Sequence, residues 1–256
     1  MILHIPHASR KIPAEVRNQF LLTDAELEQE LLRMTDAYTD ELFCGSLTTP
    51  DTTVVFPVSR LVLDPERFLD DDAEPMAKRG MGAVYMKTHA GRPLRRKITP
   101  QEKASLLDAY YIPHHKRLTE MVDAELNKAG VALVLDCHSF ASAALPYELD
   151  QSSVRPQICI GTDDFHTPSD IADLLIQCFR AEGLTVETNR PFAGSIVPMK
   201  HYRQNPHVIS VMIELNRSLY MDEENGAKSG GFKNTQKFIS KAVDCLRNLQ
   251  EALPKS

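Results

Sequence analysis

Four apolar runs in this chain end in residues that bind metals or move protons. Val131-Ala132-Leu133-Val134-Leu135 leads directly into Asp136-Cys137-His138-Ser139, and Ile2-Leu3-His4-Ile5-Pro6 leads to His7. Arg60-Leu61-Val62-Leu63 stops at Asp64, and Val208-Ile209-Ser210-Val211-Met212-Ile213 stops at Glu214. Such a run reads as a buried strand that delivers a polar side chain at its C-terminal end, where open α/β sheets bind ligands. Zinc in hydrolases takes three protein ligands from His and Asp or Glu and leaves a further position for water. Two histidines, a carboxylate and a separate glutamate from different elements therefore predict a zinc site with a general base beside it.

Within that set, His7 and His138 are the expected nitrogen ligands. His4 competes with His7, but residues three apart on a strand face opposite sides, so His4 is expected to point away. The carboxylate ligand is Asp64 or Glu66, two positions apart and on one face if the strand continues through Pro65. Asp136, two residues before His138, suits an outer role in which it accepts a ring N–H. Glu214 ends a buried strand, where a carboxylate is costly unless paired. Beside an activated water it can take a proton and pass it to a leaving amine. Arg217 either pairs with Glu214 or forks onto a substrate carboxylate, and Arg60 and Arg67, flanking Asp64, pose the same choice. Such a gathering of arginines fits a small anionic substrate, and it equally fits structural ion pairs. Strand ends also carry polar residues simply because the chain leaves the core there. His114 and His115 accordingly read as helix surface, and His166, His201 and His207 as loop residues.

The elements that must position these groups are well punctuated. Thr23-Asp24-Ala25-Glu26 is a capping box, and the stripe Leu27, Leu31, Met34, Tyr38, Leu42 predicts one helix behind it. Thr99-Pro100-Gln101-Glu102 repeats the signal for a helix that runs to Gly130 and is kinked or split at Pro113. A third helix opens at Thr167-Pro168 and ends at Gly183, and Asn234 caps a fourth. Strands are expected at 1–5, 53–58, 60–64, 131–136, 157–161, 184–188 and 208–214. Their alternation with helices predicts an α/β fold with a largely parallel sheet covered on both faces. The loops 65–83 and 189–206 follow strands that end near the proposed site and read as its walls. No linker or repeat interrupts the chain, so residues 1–256 form one domain.

Composition narrows the function. The chain has 256 residues, 43% hydrophobic and 25% charged, ordinary for a globular domain. A net charge of −6 with both signs interspersed gives no nucleic-acid footprint and no membrane surface. No apolar run reaches the ~20 residues needed to span a bilayer, and no leader pattern opens the chain. The five cysteines lack close pairing and read as reduced thiols of a cytoplasmic protein, mostly core filler. Cys137 should face away from His138.

Four motifs then occur in a familiar order: Ile5-Pro6-His7-Ala8-Ser9, Ser59-Arg60-Leu61-Val62-Leu63-Asp64-Pro65-Glu66-Arg67-Phe68, Asp136-Cys137-His138-Ser139 and Glu214-Leu215-Asn216-Arg217. With Gly80-Met81-Gly82 and Pro191-Phe192-Ala193-Gly194-Ser195, they make the chain resemble the N-formylglutamate amidohydrolase family as far as about Met221. The resemblance implies a zinc-dependent amidase that converts N-formyl-L-glutamate to formate and glutamate, a late step of histidine breakdown. It also implies the fold of the zinc carboxypeptidases and aspartoacylases, a three-layer α/β sandwich around a mixed sheet. That wider group opens its zinc motif with His-x-x-Glu. His7-Ala8-Ser9-Arg10 lacks the Glu, so Asp64 becomes the candidate carboxylate, many family members having Asn where Glu66 stands. The resulting expectation is Zn²⁺ on His7, Asp64 and His138, with Glu214 and Arg67 catalytic. Arg60, Arg217, Asn216 and Ser139 would bind a small anionic N-acyl amino acid.

Overall fold

Three of the four apolar runs become the centre of one six-stranded sheet. The computed structural model describes residues 1–45 and 52–252. In chain order the elements are β1 (Ile2–Ile5), α1 (Ala14–Arg17), α2 (Asp24–Met34), α3 (Thr39–Cys44), β2 (Thr52–Val55), α4 (Pro100–Leu106) and α5 (Ile112–Ala129). They continue with β3 (Ala132–Phe140), β4 (Ile158–Gly161), α6 (Ser169–Ala181), β5 (Val186–Thr188), β6 (Val208–Asn216) and α7 (Phe232–Ala252). The strand order is β2-β1-β3-β6-β4-β5, and every neighbouring pair is parallel except β6 with β4. The sheet is therefore mixed and mostly parallel, as the α/β reading expects. The C-terminal ends of β1, β3 and β6 lie side by side, with His4 opposite Asp136 and His138 opposite Glu214.

Side chains alternate across this sheet. Leu3, Ile5, Leu133, Leu135, Cys137, Val211 and Ile213 pack with Phe43 of α3, Leu175 of α6 and Ile239 of α7. Ile2, Ala132, Val134 and Val208 pack instead with Leu118 and Val122 of α5. Helices cover both faces, and the even positions His4, Asp136, His138 and Glu214 continue the α5 face. Cys137 sits in the opposite core. Among the described residues, no helix is long and apolar enough to cross a membrane.

Both capping boxes form. Thr23 accepts from the Glu26 amide while Glu26 reaches back to Thr23, and Thr99 with Glu102 repeats the exchange. Between α4 and α5, Leu107–Tyr111 are wound as a π-helix. Pro113 has no N–H for the carbonyl one turn back, and the wider winding absorbs the misfit. Helix α7 starts at Phe232, so Asn234 lies inside its first turn and is not its cap.

Two departures from the sequence pattern bear on the site. The stripe from Leu27 to Leu42 is not one helix. α2 ends at Met34, Thr35 is extended at φ −84° and ψ 136°, and Tyr38 adopts φ 65° before α3 begins. The Thr35 amide still closes α2 on the Leu31 carbonyl, while the Asp36 amide donates to the His7 carbonyl at 3.0 Å. The chain is thereby drawn aside at Asp36. Residues 60–64, expected as a strand, form a turn: the Val62 amide donates to the Ser59 carbonyl at 2.8 Å. Leu61, Val62 and Leu63 are fully buried, so the run is apolar for the core's sake and not for a ladder. The Leu61 and Val62 carbonyls are satisfied by Nη2 of buried Arg95, at 2.6 and 3.1 Å.

Candidate active site

At the C-terminal ends of β1, β3 and β6 lies a cavity of about 140 Å³. Its wall includes His7, Asp36, Arg60, Arg67, His138 and Glu214, with Ser139, Tyr147, Glu148 and Arg217 around them. His7 stands just past β1, where Pro6 turns the chain, and His138 and Glu214 project from adjacent strands. Asp36 comes from the break between α2 and α3.

Three buried ligand atoms converge. His138 Nδ1 is 3.2 Å and His7 Nδ1 is 3.6 Å from Asp36 Oδ2. His7, Asp36 and His138 form a group that could hold a metal ion, their ligand atoms all within 4.8 Å of one another. His7 Nδ1 is buried and makes no hydrogen bond. A buried polar atom without a partner is costly, and a cation between these three atoms would satisfy it.

The other nitrogen of each ring is held by a carboxylate. His7 Nε2 meets Asp64 Oδ1 at 2.9 Å, and His138 Nε2 meets Asp136 Oδ1 at 3.0 Å. Such a carboxylate behind the ring fixes the orientation of a histidine in metal sites. Asp64 therefore lies on the far side of His7 from the converging atoms. It is also held by Arg60 Nη2 at 2.8 Å and by the Tyr85 hydroxyl. Burial alone would raise the Asp64 carboxyl, but Arg60, His7 and Arg67 outweigh it and hold it well below the usual range. Asp36 behaves alike: burial opposes its charge, while His138, His7 and Arg217 keep it ionised.

The arginines divide by occupation. Arg217 gives Nη2 to Asp36 Oδ1 at 3.0 Å and to the Ser139 carbonyl, Nη1 to the Arg33 carbonyl, and Nε to Ser139 Oγ. Arg60 is spent on Asp64 and Tyr85. Arg67 has its Nε buried without a hydrogen bond, 3.9 Å from both Asp64 and Glu74. Ser139 presents its amide to Asp36 Oδ2 at 3.2 Å. Asn216 does not line the cavity: its carbonyl oxygen accepts from the Ser218 amide and its amide donates to Pro156. Glu214 is buried with Oε2 unpartnered, and burial pushes its carboxyl up to about 8.

His4 does not point away. His4 Nδ1 bonds Asp136 Oδ1 at 2.8 Å, the same oxygen that holds His138. The strand alternation places His4 with Asp136, and His7 reaches the site only because it lies beyond the strand. His4 Nε2 meets His114 Nε2 at 2.8 Å, so His114 lies on the buried face of α5 and is not helix surface. His166 and His201 are likewise buried, bonded to the Val208 carbonyl and to Asp123. Glu66 sits 3.2 Å from His138 Nε2 and 3.7 Å from His4 Nδ1. His4, Glu66 and Asp136 form a second group of metal-type ligands beside the first. Asp36 carries no sequence signal of a site, because the apolar stripe from Leu27 to Leu42 places it inside an unbroken helix.

An open, mostly parallel α/β sheet with a histidine–carboxylate cluster at the carboxyl ends of its central strands defines the class. Residues 1–221 match the N-formylglutamate amidohydrolase family, and the chain belongs to it. It is 25% identical over 229 residues to an N-formylglutamate deformylase of Pseudomonas putida, covering 87% of this chain and 82% of that protein. The crystal structure of an N-formylglutamate amidohydrolase from Ralstonia eutropha JMP134 superposes with a TM-score of 0.84 at 25% identity, over 98% of this chain and 92% of that one. A protein from Agrobacterium tumefaciens shares the fold, with a TM-score of 0.65 at 21% identity over 96% and 91% of the two chains.

Proposed function

We propose that this chain is a zinc-dependent amidohydrolase that removes the formyl group from N-formyl-L-glutamate. The observation that carries the reading is the unpartnered Nδ1 of His7, turned toward Asp36 and His138 Nδ1 with Asp64 and Asp136 behind the two rings. His7, Asp36 and His138 would hold the ion, and Asp64 takes the outer role. Bound there, zinc would supply a Lewis acid for the acyl oxygen and would acidify a water. The names of the relatives support the substrate.

The chain's own groups divide the remaining work. Glu214 takes the proton of the attacking water and returns it to the leaving amine; the burial that raises its pKa makes it a competent donor in the second step. Arg67, with donors to spare, grips a substrate carboxylate, while Arg217 and Arg60 hold Asp36 and Asp64 in place. Ser139 and Glu66 shape the chamber around the acyl group.

A larger N-acyl amino acid or short peptide is a second reading, favoured by one observation. A cavity of about 370 Å³ shares Glu66, Arg67, Ala193 and Met212 with the chamber and is lined further by Phe68, Tyr111 and Tyr202. Amine release from N-formyl, N-acetyl and N-succinyl amino acids, with zinc content measured on the same preparations, separates the readings. Formylglutamate should lead the panel, with about one zinc per chain and none in His138→Ala. A metal-free active enzyme would refute the zinc assignment, and preference for a bulkier acyl group would favour the second substrate.

A further inference from the structure

Two cysteines outside the site face each other across the packed helices α6 and α7. Cys178 follows buried Ile171 and Leu175 of α6 by seven and three residues, so it sits on the stripe turned toward α7. Cys245 stands in the same relation to Phe238 and Ala242 of α7. Phe179 and Phe238 pack edge to face at 6.1 Å, which fixes the two helices against each other. The two Sγ atoms are 2.9 Å apart. A disulfide needs about 2.05 Å, so the sulfurs must close by roughly 0.9 Å, within reach of small χ1 changes. The buried thiols of Cys137 and Cys159, by contrast, are turned to the backbone carbonyls of Leu135 and Phe192. Cys178 and Cys245 are only half-buried, so a small oxidant can reach them.

We propose that Cys178 and Cys245 are a disulfide-forming pair that cross-links α6 to the C-terminal helix under oxidising conditions. Against a low-molecular-weight disulfide the chemistry balances. One protein thiolate attacks oxidised glutathione and expels one glutathione; the second attacks the mixed disulfide and expels the other. Two protein thiols lose two hydrogens, and the oxidant is reduced to two thiols. Burial and the neighbouring Cys245 push the Cys178 thiol up to about 12, so thiolate is scarce at neutral pH. Mild alkali raises the thiolate fraction and so speeds the exchange. It closes a loop of 67 residues that holds β5, β6 with Glu214, and the 189–206 wall of the chamber.

The test incubates the native full chain with oxidised glutathione at alkaline pH, then denatures it and traps the remaining thiols. The expected result is a mass loss of about 2 Da, two of the five thiols protected, and one linked peptide joining Cys178 to Cys245. The melting temperature should rise by up to about 10 °C, the chain-entropy limit for such a loop, and fall back on reduction. Cys178→Ser and Cys245→Ser should each abolish both changes. Five free thiols after treatment, a stable glutathione adduct in place of the link, or a link that survives in Cys178→Ser would overturn the proposal. So would an oxidised protein that melts no higher than the reduced one.

Discussion

His7 and His138 each anchor Nε2 on a carboxylate, and that anchor decides what Nδ1 can offer. Ionised Asp64 and Asp136 accept only, so each Nε2 carries hydrogen, and a cation bound beside Asp36 would take the lone pair of each Nδ1. A ligand and its support then differ in what they cost when altered. Asp36→Asn removes the charge of a proposed ligand and should abolish stoichiometric zinc. Asp64→Asn removes only an outer partner, worth roughly 10–100-fold in affinity. Competition with a chromophoric chelator measures both, and equal losses would return Asp64 to the ligand set. His4 shares Asp136 with His138, so His4→Phe should weaken zinc about tenfold by the same logic. Unchanged affinity there would confine His4 to packing. Glu214→Gln keeps size but cannot accept the proton; zinc content should persist while turnover falls about 10²–10⁴-fold. Near-normal turnover would move the base to Glu66, which lines the same cavity 3.2 Å from His138 Nε2.

At the scale of elements, the strands were readable because burial on both faces writes long apolar runs, and three of the four catalytic-looking runs are strands. The capping boxes were readable because their chemistry is local. What was not readable was tertiary. The break at Thr35–Tyr38 interrupts a continuous apolar stripe, and bonds from across the fold, the Asp36 amide to the His7 carbonyl and Arg217 to the Asp36 carboxylate, hold the diverted chain. The 60–64 segment likewise has a strand's composition, but its carbonyls are served by Arg95, 34 and 33 residues further along the chain. That cation also lies over the Phe20 ring at 4.8 Å and bonds Gln19. Arg95→Met would leave the Leu61 and Val62 carbonyls buried without donors, a loss of about 2–4 kcal/mol of stability. Because this turn carries Asp64, zinc affinity should fall with it. A denaturant midpoint unchanged from the parent would mean that water serves these carbonyls as well as Arg95 does.

The molecule as a whole holds a polar chain that runs from α5 to the candidate metal centre: His114, His4, Asp136 and His138. Its outer end gives global stability a pH dependence of definite sign. Burial, then the neighbouring His4, His115 and His7, push His114 from 6.5 down to about 2, with Asp136 opposing. Above pH 6.5 the ring is neutral in both folded and unfolded chains and contributes no slope. Below 6.5 the unfolded chain binds a proton that the folded chain refuses until about pH 2, so stability falls as pH falls across that window. The limiting slope for one such group is about 1.4 kcal/mol per pH unit. His114→Gln keeps a donor for His4 Nε2 but cannot titrate. The shared acids Asp36, Asp64 and Asp136 titrate in both proteins and drop out of the comparison. Urea unfolding between pH 7 and pH 5 should show the parent losing stability more steeply than the variant, by up to one proton's worth of slope. Parallel curves would mean that the folded protein opens to protonate His114, and that the chain from α5 to His138 is not held closed in solution.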